Sequence, residues 1–388
     1  MKKLISLILA VLLLLSLPVG CASPEPAPQA TPQSTPESAP ETGGDAGQEE
    51  APAQRVVLDD TGREITVPGQ IDRIVIMSTM PLCSVYCMAG GDPGKIVGLT
   101  PSSKNAAVTS FLNRVADLED VSTAFAQGET VNVEEVMNLN PDVVFYNTGN
   151  AADCSAVEKL EALGIPCVGF TTAIESTIET VSTWASQIGQ VLGTEMQAGE
   201  IVAYGREVEQ MVWERVSQIP EEERRSALIL TNYNASGITA AGATFGRYWL
   251  SAIGAENVAI ELEQKVAPVS LEQIYEWDPD VIFLNSFSAF TAEEVASGNA
   301  VPGHDWSGLT AVRNGEFYKM PLGMYYWFPP CSDSPLSLQW LAKHLYPELF
   351  EDLDMDAEIV SYFKRFYGVE LTEEDLQLLY NPPADSAM

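Results

Sequence analysis

The chain has 388 residues, 46% of them hydrophobic, with 54 acidic against 20 basic side chains and a net charge of −34. Charge of that sign and size opposes binding to nucleic acid or to anionic lipid headgroups and favours solubility. Two distant histidines and six irregularly spaced cysteines exclude a histidine metal cluster, a histidine-based catalytic triad and a regular disulfide framework.

The first elements are not part of a folded body. Lys2 and Lys3 precede the apolar run Leu4–Leu17, the pattern of a secretion signal over residues 1–20 and too short to span a bilayer comfortably. Leu17-Pro18-Val19-Gly20-Cys21 is similar to a bacterial lipobox, with Pro18 where the usual Leu stands. That makes Cys21 the expected lipidation site; an ordinary cleaved signal with an incidental Cys is the alternative. Residues 21–54 are rich in Pro, Ala, Ser, Gln and Glu, too polar to bury a core, and are expected to form a disordered tether. A lipid, a stalk and a folded body place the protein at the outer face of a bacterial membrane. No later segment is long and apolar enough to cross one.

The folded body is expected to begin with a hairpin over 56–68, turning at Asp60-Thr61-Gly62. A strand at Arg73–Met77, a helix at Pro81–Gly90 and a strand at Lys95–Leu99 follow. After the window 131–147 come a helix at Ala152–Leu163 and a strand at Pro166–Phe170. Such alternation predicts an α/β lobe with a mostly parallel sheet over 55–173. Residues 174–219 carry helix-spaced apolar positions divided at Gly193-Thr194, and the second helix, Glu195–Gln218, is expected to be about 35 Å long. A second α/β lobe over 220–388 begins with a strand at Ala227–Thr231 and a helix at Phe245–Ile253. It continues with the window 269–285, a strand at Glu316–Met320 and a helix near Pro335–His344. Helices near Asp356–Phe366 and Thr372–Leu379 close it.

The two windows are one pattern. VNVEEVMNLNPDVVFYN at 131–147 and VSLEQIYEWDPDVIFLN at 269–285 align without a gap and share Val, Glu, Pro, Asp, Val, Phe and Asn. Each predicts a capping box (Asn132 with Glu135, Ser270 with Gln273), a two-turn helix stopped before Pro141 or Pro279, and a buried strand. The strands end in Asn147 and Asn285. Glu134 and Glu272 belong to neither box. A helix-dipole role explains one such carboxylate more easily than a matched pair.

Two α/β lobes, a long connecting helix and a lipoprotein start resemble the substrate-binding proteins of ABC importers for iron complexes, haem and vitamin B12. The resemblance rests on Asp60-Thr61-Gly62-Arg63-Glu64, Arg73-Ile74-Val75, both repeat windows, Gly254-Ala255-Glu256-Asn257-Val258-Ala259 and the stretch from Ser334-Pro335-Leu336 to Leu345-Tyr346-Pro347-Glu348. It implies two lobes joined by a rigid helix, a ligand in the cleft between them, and Glu134 and Glu272 as carboxylates that dock on permease arginines. A lipid-anchored monomer without a resident cofactor, bringing a metal chelate to a membrane permease dimer, is the implied arrangement.

Ligands of parallel sheets gather outside the carboxyl ends of strands, which points to Thr79 and Met80, Asn147, Tyr233, and the run Tyr325, Tyr326 and Trp327. Aromatic walls suit a ferric siderophore, a corrinoid or a haem, and about half of these rings are expected to face the cleft. Arg247 is either a partner for ligand carboxylates or an ordinary surface arginine. Cys83 and Cys87 share a helix face and are expected to be core; His304 is a weak haem-ligand candidate and His344 structural. No catalytic constellation stands out, so the chain is read as a binder, with a ferric siderophore first, cobalamin or haem next. A surface sensory or adhesion lipoprotein that has lost transport is the alternative of another class.

Overall fold

The computed structural model describes residues 54–387, apart from 78–80, 128–129 and 174. The signal segment, Cys21, nearly all of the tether, and Thr79 and Met80 lie outside the described residues. An antiparallel hairpin, Arg55–Leu58 with Glu64–Val67, opens the folded body. Asp59 ties its turn by accepting from the backbone N–H groups of Thr61 and Arg63, both at 3.0 Å.

The first sheet is fully parallel, in the order Ile96–Leu99, Ile74–Ile76, Val143–Asn147, Cys167–Phe170. Its strands are buried on both faces, so they are written as unbroken apolar runs rather than alternations. A helix over Pro101–Thr109, capped by Thr100, adds to the elements expected from the sequence. In both repeat windows the N-cap side chain makes its bond: Asn132 accepts from Glu134 N at 3.0 Å and Ser270 from Gln273 N at 3.2 Å. The reciprocal half of each box is not made. Glu135 accepts from Asn138 and Gln273 donates to Glu276 instead.

The second sheet departs from the mostly parallel expectation. Its order is Val266–Val269, Gly237–Ala241, Ser226–Asn234, Val281–Leu284, Phe317–Lys319; the first three strands pair antiparallel and the last two add in parallel. The reason is a tight hairpin. Asn234 Oδ1 accepts from Ser236 N at 2.8 Å, an Asx turn that sends the chain back along itself. In the sequence that same Asn-Ala-Ser triplet has the look of a glycosylation acceptor.

Two helices, Thr177–Leu192 and Glu195–Val216, hold the lobes together. They run antiparallel about Gly193, which caps the first in the left-handed region at φ 76°. Gly189 lies so close to Ala198 that a Cβ there would come within 2.7 Å of the alanine Cβ. The start of the second helix is tied to the first lobe: Thr194 Oγ1 and Gln197 Nε2 donate to the carbonyls of Ala89 and Met88, both at 2.7 Å. Its far end is tied to the second lobe, where Glu209 accepts from Tyr248 Oη at 2.8 Å and Arg215 donates to the Leu349 carbonyl at 2.8 Å. The helix Met355–Tyr367 adds another bond between lobes. Tyr367 Oη donates to the Ser84 carbonyl at 3.2 Å, while Tyr362 Oη, whose proton goes to the Ser332 carbonyl, touches Met88 Sδ at 3.2 Å.

A linker clamped at both ends resists hinge bending. Ligand binding should therefore rotate the lobes by roughly a few degrees. Small-angle scattering with and without saturating ligand checks this, and compaction on the scale of hinge-type closure would show that the helix pair bends.

Candidate functional site

A cavity of about 640 Å³ lies between the lobes. From the first lobe, Pro81, Asn147 and Thr172 face it, joined by Trp184 of the linking helix Thr177–Leu192. The second lobe gives most of the wall: the hairpin residues Thr231, Asn232, Asn234, Ser236 and Thr239, then Phe245 and Phe287, and finally Tyr325 and Phe328–Pro330. Among the described residues the lining contains no Asp, Glu, Lys, Arg or His. In a chain of charge −34, that is a sharply neutral cleft. It offers amide and hydroxyl hydrogen bonds and ring faces, with no side chain to neutralise a bare charge.

One buried carboxylate shapes the aromatic wall. Asp333 is fully buried; its Oδ2 accepts from Met324 N at 2.7 Å and from the Trp327 indole N–H at 3.1 Å, while Ser332 Oγ donates to Oδ1 at 3.2 Å. Gly323 makes room for it, since a Cβ there would come within 2.2 Å of Oδ2. The clasp bends residues 323–327 so that Tyr325 and Phe328 face the cavity while Tyr326 and Trp327 do not. Tyr325 Oη is buried without a hydrogen-bond partner among the described residues. Burial pushes its phenol well above the ordinary range, so it remains a neutral donor.

The structure thus brings together Asn147 and Tyr325 from the residues singled out in the sequence, and separates four others. Tyr233 points into the second-lobe core, where its hydroxyl meets His304 Nδ1 at 2.9 Å; Asn232 and Asn234, its neighbours along the strand, take the cavity side. This also commits His304 away from any cleft ligand. Arg247 Nη2 donates to the carbonyls of Ile260 and Leu262, both at 2.8 Å, and lines a separate surface depression. It lies two residues after Phe245, and at about 100° per residue a helix turns that position away from the cleft. Tyr326 is buried behind the wall, bonded to the Ser386 carbonyl and packed edge-on against Phe287 at 4.8 Å. Trp327 is held by Asp333. Trp184 and Thr172, which line the cavity, and Asp333, which braces its wall, are positions that the sequence does not single out; each sits inside a stretch whose local pattern announces only a helix, a loop or a cap.

Cys83 is buried and Cys87 half-buried on the helix Leu82–Met88, and no cluster of His, Cys, Asp or Glu suited to a metal occurs among the described residues. His344 packs against Trp340 and Tyr318. Glu134 and Glu272 are both exposed on first helical turns. Bonds from its own backbone N–H and from Ser270 hold the Glu272 carboxyl below the ordinary range.

Two α/β lobes, a helical link tied to both and an open cleft between them define a two-lobed solute-binding protein, a binder and not an enzyme. Residues 83–322 match the sequence profile described as periplasmic binding protein, and the chain belongs to that family. Over 338 residues it is 23% identical to the molybdate-binding protein MolA of Haemophilus influenzae, spanning 82% of this chain and 92% of that protein. Over 301 residues it is 22% identical to the Fe(3+)-citrate-binding protein YfmC of Bacillus subtilis, spanning 78% and 89%. A solved periplasmic solute binding protein from Veillonella parvula is similar at a TM-score of 0.77 and 29% identity, with 85% of this chain and 97% of that one covered.

The clasp has a pH signature. Desolvation pushes the Asp333 carboxyl up to about 6 from its ordinary 3.8, against the hydrogen bonds that lower it. The folded state therefore keeps a proton that the unfolded chain has released between those values. This contribution to stability is complete below about pH 4 and is lost as pH rises to about 6, by about 3 kcal/mol at most. Asp333→Asn should flatten that part of the pH–stability curve in urea unfolding; an unchanged slope would show that another group is its source.

Proposed function

We propose that this protein captures a ferric siderophore or a similar organic metal chelate outside the cytoplasm and delivers it to the permease of an ABC importer. The observation that carries the ligand class is the cleft: about 640 Å³, walled by rings and prolines, and neutral among the described residues. That volume lies in the range of drug-sized organic ligands and is far larger than a bare tetrahedral oxyanion requires. A chelate that balances its own metal charge can be desolvated there at little cost, whereas an isolated anion would meet no cation. Haem fits less well, because its propionates would find no Lys or Arg in the lining and its iron no imidazole. Cobalamin, whose periphery carries amides, is the second candidate because Asn147, Asn232 and Asn234 line the same cavity.

Delivery is assigned to Glu134 and Glu272. They occupy matched positions in the repeat and are exposed, and neither forms an ion pair among the described residues. One carboxylate on each lobe suits recognition of a two-fold permease by arginines, fixing register more than affinity. Cys21 is assigned as the lipid anchor, which would hold a monomer at the outer face of the membrane.

Titration of Trp184 fluorescence with ferric siderophores, cobalamin, haem and molybdate tests the ligand class. Saturable quenching by a ferric siderophore is expected, weakened several-fold by Asn232→Ala, which removes a half-exposed amide from the cavity wall. Binding of molybdate alone would overturn the organic-chelate assignment. The double variant Glu134→Ala, Glu272→Ala should abolish uptake in cells while leaving affinity in solution unchanged. Uptake that persists in it would remove both residues from docking.

A further inference from the structure

A second depression, of about 550 Å³, opens on the second lobe beside the outermost strand of its sheet, Phe317–Lys319, and shares no lining residue with the cleft. We propose that it is a binding site for a small organic monocarboxylate with an aromatic or other apolar body, held by the ammonium of Lys319.

The reasoning starts from charge left without a partner. Lys319 is 9% exposed and lines this depression, yet its Nζ takes part in no hydrogen bond or ion pair among the described residues. The stem is buried while Nζ, which is not among the closed-off polar atoms, reaches the solvent of the depression, the side from which an acceptor can approach it. The other groups facing it are already committed. Lys343 Nζ donates to the carbonyls of Phe350 and Leu353 at 2.8 and 2.7 Å. Glu294 accepts from Thr291 N and Oγ1 at 2.8 and 3.0 Å as a helix cap, and reaches Lys319 only through its field. Glu293 is exposed. His344 Nδ1 is 2.8 Å from the Trp340 carbonyl, Tyr318 Oη donates to Glu316, and Tyr380 Oη donates to Asp356. Among the described residues around the depression, Lys319 is the cation still lacking an acceptor.

The surroundings set the ligand class. Trp340, His344 and Tyr318 form a ring wall, with His344 centred 4.1 Å from Trp340 and 4.4 Å from Tyr318. Tyr318 and Lys319 project to opposite faces of the edge strand, and the depression that both line reaches around its open edge, so a ligand spanning it would carry a single negative charge at one end and a flat body at the other. Phosphate would bring a second charge to a pocket whose other ammonium, Lys343, already spends its protons on two backbone carbonyls and whose Glu293 is acidic. Burial also lowers the Lys319 ammonium to about 8. A bound carboxylate stabilises the protonated form, so affinity should fall as pH rises through that value, about tenfold between pH 7 and pH 9.

The probes are benzoate, acetate and inorganic phosphate, and the readout is the NMR signal of ¹³C-dimethylated lysines, with Lys319 assigned from its absence in Lys319→Arg. Benzoate should shift the Lys319 signal saturably, raise its titration midpoint and bind about tenfold more weakly at pH 9 than at pH 7. Acetate, lacking the apolar body, should bind more weakly, and Lys319→Met should lose benzoate binding while siderophore quenching in the cleft persists. A Lys319 signal that benzoate leaves unmoved, or phosphate binding as tight as benzoate, would overturn the proposal. Because the Lys319 signal is read in the unmutated side chain, the outcome does not depend on the methionine variant folding.

Discussion

Everything about the cleft depends on the contact between the helices Thr177–Leu192 and Glu195–Val216. The absence of a side chain at Gly189 lets their backbones approach beside the turn, and Gly193 permits the turn itself. Once paired, the second helix acts as a strut: its first turn is bonded to the end of the helix Leu82–Met88 and its last turns to residues of the second lobe. The helix Met355–Tyr367 crosses back to the same first-lobe helix. A cavity bounded by lobes held in this way is largely shaped before a ligand arrives, which lowers the ordering cost of binding. It also limits how far the ligand can remodel its own site.

Electrostatics divides the molecule in a second way. Acidic groups dominate the sequence and lie mostly at the surface or in caps, while the cleft lining is neutral among the described residues. The carboxylate nearest in role to the cleft, Asp333, is buried behind its wall and spends its oxygens on backbone and indole N–H groups. Its burial is unfavourable taken alone. What it secures is a single conformation of a loop with four consecutive aromatic residues, whose rings would otherwise have several ways to pack.

How much of this is legible in the sequence follows from the range of the interactions involved. The repeat windows, the buried parallel strands and the paired helices depend on local periodicity and caps, and their positions agree with the sequence reading to within a few residues. The hairpin Ser226–Ala241 is not legible, because its turn depends on one Asx bond and its strands are distinguished only by pairing. Within the site, Asn147 and Tyr325 can be anticipated from strand ends and ring content. The burial of Tyr233, Tyr326 and Trp327 cannot, because it is decided by His304, Ser386 and Asp333, distant or unremarkable positions whose effect appears only in three dimensions.

The repeat and the site do not share a symmetry. Asn147 and Asn285 end the same strand in the two windows, yet Asn147 lines the cavity while Asn285 is closed off beneath the second lobe, both of its amide atoms lacking a hydrogen-bond partner among the described residues. The wall comes mostly from the antiparallel hairpin and the aromatic loop, which lie outside the repeated windows. Glu134 and Glu272, by contrast, lie inside them. Substitutions in the hairpin or the loop can therefore alter which ligand is held without touching the matched carboxylates. The repeat is free to keep a fixed spacing between lobes while the residues outside its copies change, a physical separation of the cavity wall from the matched carboxylates that a symmetric site would not allow.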